Sequence, residues 1–458
     1  MNDEQLKLQK HIDKKAFTKK LLYIAVPITI QSLITASVNL IDTMMVGKLG
    51  ESSIAALGVA NQYYMLFHLI IMALYSGVGI FISQYWGKKD SSKIKAFTTI
   101  QLQIGMLITA IFVIFGALMP KQIISLFTND IEVITIGASY LRIVIFGYVT
   151  YSVANGYGST SRSIGRTVLP MIASVVALVV NIFLNYGLIY GNFGMPALGV
   201  EGAAIATASA RAIEMLVVVS GIYISNKDIA VRFGDFLKWN QSIFNQIIGP
   251  MSQVVLNDIC WGLGMIVYTM IYVRIGTGAL ASIQIMTTVQ NLFITVVIAV
   301  SIASCVMIGN QIGEGNHRLA KEQSYYFIKI VTILTILIGI FVAVGTSFIL
   351  SFFTVDSSVM ESTKILLYIS AISMPARGLG ILFVIGILRG GGDASGALKI
   401  ELFTMWIIGV PGTYITAIIL GWPIEYVYIF IAVEELLKLV LAYIRFKNGR
   451  WLNDFTQG

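Results

Sequence analysis

The sequence predicts an all-α integral membrane protein: twelve transmembrane helices in two six-helix lobes related by a pseudo-two-fold axis along the membrane normal. Three observations lead there. First, the 458 residues are 57% hydrophobic and 12% charged, where soluble chains carry about 25% charged residues. Second, a span takes about 20 apolar residues, or nearer 25 with tilt and ends, so this length holds about a dozen with short loops and leaves no polar stretch for a large soluble domain. Third, the chain repeats itself at a constant offset.

That offset is 226 residues. Ser125-Leu-Phe-Thr-Asn-Asp130 returns as Ser351-Phe-Phe-Thr-Val-Asp356. The same shift aligns Asp42-Thr-Met-Met-Val-Gly-Lys-Leu-Gly50 with Tyr268-Thr-Met-Ile-Tyr-Val-Arg-Ile-Gly276, and Ile82-Ser-Gln-Tyr-Trp-Gly87 with Ile308-Gly-Asn-Gln-Ile-Gly313. Slipped by one, Arg162-Ser-Ile-Gly165 matches Arg389-Gly-Gly-Gly392. Six spans, an even number, separate the copies, so both halves keep one orientation, as in transporters that work by alternating access about a site between two lobes.

Apolar runs bounded by Gly, Pro, Asn and charges place the spans near 20–46, 54–84, 94–118, 132–160, 166–190, 200–225, 243–272, 280–311, 322–351, 363–388, 396–420 and 423–446. Residues 1–19 form a cytoplasmic N-terminal segment with Lys7, Lys10, Lys14, Lys15 and Lys19, and the apolar run after it is too long for the core of a cleaved signal. Residues 20–225 and 243–446 are the lobes, 226–242 a cytoplasmic linker and 447–458 a cytoplasmic tail. With the start inside, Lys88–Lys95, Arg162–Arg166, 226–238, 313–321 and Arg389–Lys399 lie in cytoplasmic loops, leaving only Lys48, Lys121, Arg274 and Lys364 outside. That asymmetry supports a multi-pass protein of the plasma (inner) membrane with both termini cytoplasmic. The excess of 31 Lys+Arg over 23 Asp+Glu therefore reports orientation, and no nucleic-acid partner is expected. Cys260 and Cys305 sit in apolar runs as packing residues, without a disulfide framework.

An ionisable residue at bilayer depth is expensive and marks function. In the first span Gln31, Thr35, Asn39 and Asp42 share a helical face. In the second, His68 shares a stripe with Asn61, Met65, Met72 and Tyr75 and reads as packing. Tyr148, Tyr151 and Asn155 follow in the fourth, Asn181 and Asn185 in the fifth, and Thr207, Arg211 and Glu214 in the sixth; their amides and hydroxyls suit either a small cation or interhelical hydrogen bonds. In the seventh span Asp258, with Asn257 beside it, precedes Trp261, Met265 and Tyr268 on one face. A carboxylate above such a stripe suits an organic cation, and Gln284 of the eighth span joins the candidate substrate set. Arg211 with Glu214, and Glu434 with Lys438, read as local helical pairs.

At Asp42-Thr-x-x-Val-Gly-x-Leu-Gly50, with Pro27 upstream and Ile-Ala-Ala-Leu-Gly58 downstream, the sequence resembles the multidrug and toxic compound extrusion (MATE) family. Ser83-Gln-Tyr-Trp-Gly87, Leu184-Asn-Tyr-Gly-Leu-Ile-Tyr-Gly191, Leu198-Gly-Val-Glu-Gly-Ala-Ala-Ile-Ala-Thr207, Leu388-Arg-Gly-Gly-Gly-Asp393 and Trp451 extend the likeness over almost the whole chain. The resemblance implies a secondary active antiporter that exports organic cations in exchange for inward Na⁺ or H⁺. It implies coupling-ion roles for Asp42, Asn181, Thr207 and Asn155, and the coupling-ion set also takes in Asn185, where some members carry aspartate, and Asp258, where many have a glutamate. No carboxylate stands near Gly378, beside Arg377, where one subfamily has its tenth-span aspartate.

The expected partners are a small cationic substrate and membrane lipid, with the protein a monomer and no cofactor beyond a coupling Na⁺. A lipid-linked oligosaccharide flippase is the alternative, kept alive by Arg142, Arg211 and Arg377. An intramembrane enzyme would need a metal or nucleophile constellation, and neither His-Glu-x-x-His nor a phosphate-binding Gly-x-x-x-x-Gly-Lys-Ser/Thr loop occurs.

Overall fold

A computed structural model describes residues 13–225, 227–353 and 355–457. Lys7 and Lys10, residue 226 at the start of the linker, Thr354 within the second Ser-x-Phe-Thr motif and Gly458 lie outside the described residues. Twelve long helices follow in order: α1 Lys14–Gly47, α2 Glu51–Gly87, α3 Ser91–Leu118, the bent α4 of Ile131–Val144 and Phe146–Ser163, α5 Val168–Tyr190, α6 Gly199–Ser225, α7 Gln241–Ile275, α8 Thr277–Gly313, α9 His317–Leu350, α10 Ser357–Leu388, α11 Ala394–Ile419 and α12 Ile424–Lys447. Among the described residues there is no β-strand.

Ten of these helices are long and apolar enough to cross a membrane, and α4 makes an eleventh as a broken span. Every 18-residue stretch of α12 includes Glu434, Glu435 and Lys438, and that charge, rather than a shortage of apolar residues, sets it apart from the other spans. Two local features break the regular helical path. α4 bends by 47° at Ile145, where Gly147 lies so close to α6 that a Cβ would stand 3.1 Å from the Ala208 backbone. α10 and α11 pass into wider π turns at Leu382–Leu388, Leu402–Gly409 and Ile415–Ile419, a device that re-aims side chains along a helix.

The chain forms two compact units. The N-terminal unit comprises Val26–Ile82 and Lys89–Met251. Its linker carries a short helix, Phe233–Phe236, held to α3 by Lys95–Asp235 at 2.5 Å and by Gln103, which donates to the Phe236 carbonyl at 2.6 Å.

The C-terminal unit comprises the described part of Met1–Ala25, Ser83–Lys88 and Ser252–Gly458. In it the end of α2 crosses the end of α8 through repeat-equivalent glycines. A Cβ on Gly87 would stand 2.0 Å from the Asn310 carbonyl oxygen, and one on Gly313 would stand 1.7 Å from that of Gln84. The tail is packed down rather than loose: Trp451 is fully buried and stacked on Phe446, Asn453 donates its N–H to Gly391 at 2.7 Å, and the Gln84 amide brackets the chain at Asn453 and Phe455.

The repeated motifs are largely helix punctuation. Asp130 caps α4 by accepting from the N–H groups of Glu132 and Val133, and Asp356 occupies the equivalent N-cap of α10. Gly165 and Gly392 end α4 and α10 with φ of 79° and 83°, each followed by a residue whose N–H returns to the last turn.

Candidate cation-coupling site

In the N-terminal unit α1, α5 and α6 bring four of the sequence candidates together. Asp42 is buried, and the Asn185 amide donates to its Oδ1 at 2.6 Å while the Thr207 hydroxyl donates to its Oδ2 at 3.4 Å. Asn185 also donates to Asn181 Oδ1 at 3.1 Å, and Asn181 donates to Thr207 Oγ1 at 3.4 Å, which closes a ring. The four-residue spacing of Asn181 and Asn185 aims both amides from one face of α5, and every donor on the carboxylate is neutral. Such a centre holds one negative charge in low dielectric with no cation bonded to it, the nearby Arg211 being bound to Glu214, so a small exchangeable cation suits it.

Beside Asp42 lies a cavity of about 40 Å³ lined by Asn39, Asn61, Tyr64, Tyr140 and Arg211 among others. That is room for a few waters or a bare ion. A smaller one of about 20 Å³ lies between Thr35, Asn181 and Glu214. From there a polar chain continues. Arg211 binds Glu214 at 2.8 Å, Ser174 donates to Glu214 at 2.8 Å, Gln31 donates to Ser174 at 3.1 Å, and Arg162 reaches Gln31 Oε1 at 3.5 Å. Arg211 also lies over the Tyr151 ring, 5.0 Å from its centroid, and Tyr151 meets His68 Nδ1 at 2.5 Å.

Asn155 stands apart from this ring, because its amide donates to the Tyr151 carbonyl of its own helix at 3.1 Å. Gln31 belongs to the polar chain through Ser174 and Arg162 rather than to an open wall.

In the C-terminal unit Asp258 has a partner the sequence reading did not give it. Arg389, assigned above to a cytoplasmic loop, is helical and buried; its Nη2 binds Asp258 Oδ1 and donates to Asn257 Oδ1 at 2.6 Å. The loop assignment fails at its first residue, because the helical backbone runs on past the π turn at Leu382–Leu388 to include Arg389, whose charge is taken up at once by Asp258. The stripe below Asp258 also divides. Trp261 is exposed and Met265 half-buried, while Tyr268 is buried with its hydroxyl donated to Glu434 Oε2 at 2.7 Å. Gln284 is exposed on α8. At Gly378 a Cβ would meet Thr335 Cγ2 at 2.4 Å, so no carboxylate side chain fits there.

Tyr64 and Tyr140, which line the Asp42 cavity, were missed because single aromatics in apolar runs carry no local signal. Arg389 carried one: the repeat already paired it with Arg162.

A duplicated all-helical bundle of spans with an ionisable centre buried at depth defines a polytopic membrane transporter. The MatE family profile matches residues 27–187 and again residues 254–415, and the chain belongs to this family, whose members are transporters and not enzymes. The uncharacterised transporter YisQ of Bacillus subtilis is 25% identical over 97% of both chains. A probable multidrug resistance protein, NorM of Thermotoga maritima, is 23% identical over 94% of this chain and 93% of its own. The MATE transporter VcmN of Vibrio cholerae has the same fold, with a TM-score of 0.86, 21% identity, and coverage of 97% of this chain and 99% of its own.

Proposed function

We propose that the protein is a secondary active multidrug efflux antiporter that exports organic cations in exchange for inward H⁺ or Na⁺ by alternating access. It works as a monomer in the plasma (inner) membrane, multi-pass, with both termini cytoplasmic and lipid as its other partner. The observation that carries the reading is Asp42, a buried carboxylate held only by neutral donors beside an ion-sized cavity. The multidrug resistance names of relatives such as the Thermotoga maritima NorM support the substrate class.

A monovalent cation entering the Asp42 centre neutralises its charge and is offset by release of the organic cation on the other side. One-for-one exchange moves no net charge, so the gradient supplies about 1.4 kcal/mol per tenfold. Each further positive charge carried inward adds about 2.3 kcal/mol per 100 mV. A flippase for lipid-linked phosphates calls for free basic groups gathered in one place, yet Arg211 is paired with Glu214, Arg377 is held by the neutral Gln290 Oε1 at 2.6 Å, and Arg142 is exposed on α4.

The test presents proteoliposomes with a permeant cationic dye and, separately, a lipid-linked pyrophosphate. Ion-driven movement of the dye alone is expected, and movement of the pyrophosphate alone would overturn the assignment.

A further inference from the structure

The C-terminal unit holds a second buried ionic centre that the coupling site does not use. At the repeat offset of 226 or 227 residues, Asp42, Thr207 and Arg211 correspond to Tyr268, Glu434 and Lys438. The contact is kept but the carboxylate changes helix. Thr207 of α6 donates to Asp42 of α1 in one unit, and Tyr268 of α7 donates to Glu434 of α12, at 2.7 Å, in the other.

Around Glu434 the charges do not balance. Lys438 Nζ lies 3.1 Å from Glu401 Oε1, 3.7 Å from Glu434 Oε1 and 3.8 Å from Glu435 Oε2, so one ammonium faces three carboxylates. Glu434, Glu401 and Lys438 are 2%, 4% and 6% exposed. The other groups packed here are Tyr268 and Tyr272 of α7 and Arg377 of α10, whose guanidinium is engaged by Gln290. Uncompensated negative charge at this depth costs several kcal/mol and is relieved by binding a cation.

The geometry names the atom. Tyr268 occupies Glu434 Oε2, and Gly409 keeps that pair close, since a Cβ there would stand 2.2 Å from the Tyr268 hydroxyl and 2.6 Å from Oε2. Among the described residues no hydrogen-bond donor reaches Glu434 Oε1, a fully buried oxygen. Lys438 already fills the position between the carboxylates that a metal ion would need.

We propose that Glu434 Oε1 is a second proton-binding site of the transporter: it takes up H⁺ as a carboxylic acid and releases it as a carboxylate, with Lys438 as the fixed internal cation. Its part in transport rests on the antiport reading above, whereas the protonation itself is measurable without transport.

The experiment is infrared difference spectroscopy of purified protein in detergent, stepped in pH without substrate or Na⁺. Wild type is expected to show protonated-carboxyl C=O bands. One component should persist in Asp42→Asn, vanish in Glu434→Gln, and shift in Tyr268→Phe, which leaves the carboxyl in place and removes only its hydrogen-bond donor. Should Glu434→Gln fail to fold, the shift in Tyr268→Phe decides. The proposal is overturned if wild type lacks the component, if Glu434→Gln retains it, or if Tyr268→Phe leaves it unmoved. A wild-type protein that shows the component with these variant effects yet no ion-coupled efflux would sustain the site and sink the antiport reading alone.

Discussion

A carboxylate inside a bilayer keeps its charge only where donors replace the water it has lost, and Asp42 has them in Asn185 and Thr207. Because those donors favour the charged carboxylate over its protonated form, Asn185→Leu is expected to tighten binding when the coupling ion is H⁺. A hydrogen bond to a charged group is worth about 1.5–3 kcal/mol, so the ion concentration for half-maximal efflux should fall about tenfold or more. The arginines offer a paired comparison. Arg389 binds a carboxylate and an amide directly, whereas Arg162 donates to Gln31 Oε1 at 3.5 Å and feels Glu214 at longer range. Arg389→Ala strands Asp258, which is partly exposed, and should lower stability by about 2 kcal/mol, less than the loss from a fully buried pair. Arg162→Ala should cost visibly less, as read from melting in detergent. Asp42, Asn181, Asn185 and Thr207 were legible in sequence because each repeats at helical spacing in an apolar run. The Asp258–Arg389 bond was not, since its partners stand 131 residues apart and no local pattern links them.

At the scale of elements, the motifs that made the repeat legible prove to be helix ends and one helix crossing. Gly87 and Gly313 let the ends of α2 and α8 touch backbone to backbone. Gly313→Ala and Gly87→Ala should each destabilise by about 3 kcal/mol or more, since the opposing atoms are main chain and cannot rotate away. Gly58→Ala, inside α2 with nothing within 4 Å of the added methyl, should be neutral or stabilise by about 0.5 kcal/mol. The turn after α2 places Lys89 at φ 61°, where its repeat counterpart Gly315 has φ 77°. A left-handed residue with a Cβ costs about 1–2 kcal/mol, so Lys89→Gly should raise the melting temperature. The π turns of α10 and α11 and the bend of α4 escaped the sequence because hydropathy reports that a span is apolar, not how its turns are wound.

Across the whole chain, the family profile matches twice, with start points at 27 and 254, which agrees with the internal offset read from the motifs. The duplicated halves have diverged in where they keep charge. Asp42 stands alone among neutral donors, while Glu434 shares Lys438 with Glu401 and Glu435. The second centre was only half legible, because Glu434 and Lys438 already satisfy an i, i+4 pattern while Glu401 joins them from 37 residues away. The account stands or falls on the coupling of substrate to cation through Asp42. Proteoliposomes loaded with a Na⁺- or pH-sensitive dye and given a cationic substrate report it directly. The expected result is a substrate-driven flux of one of these ions that Asp42→Asn abolishes; an undiminished flux in that variant would contradict it.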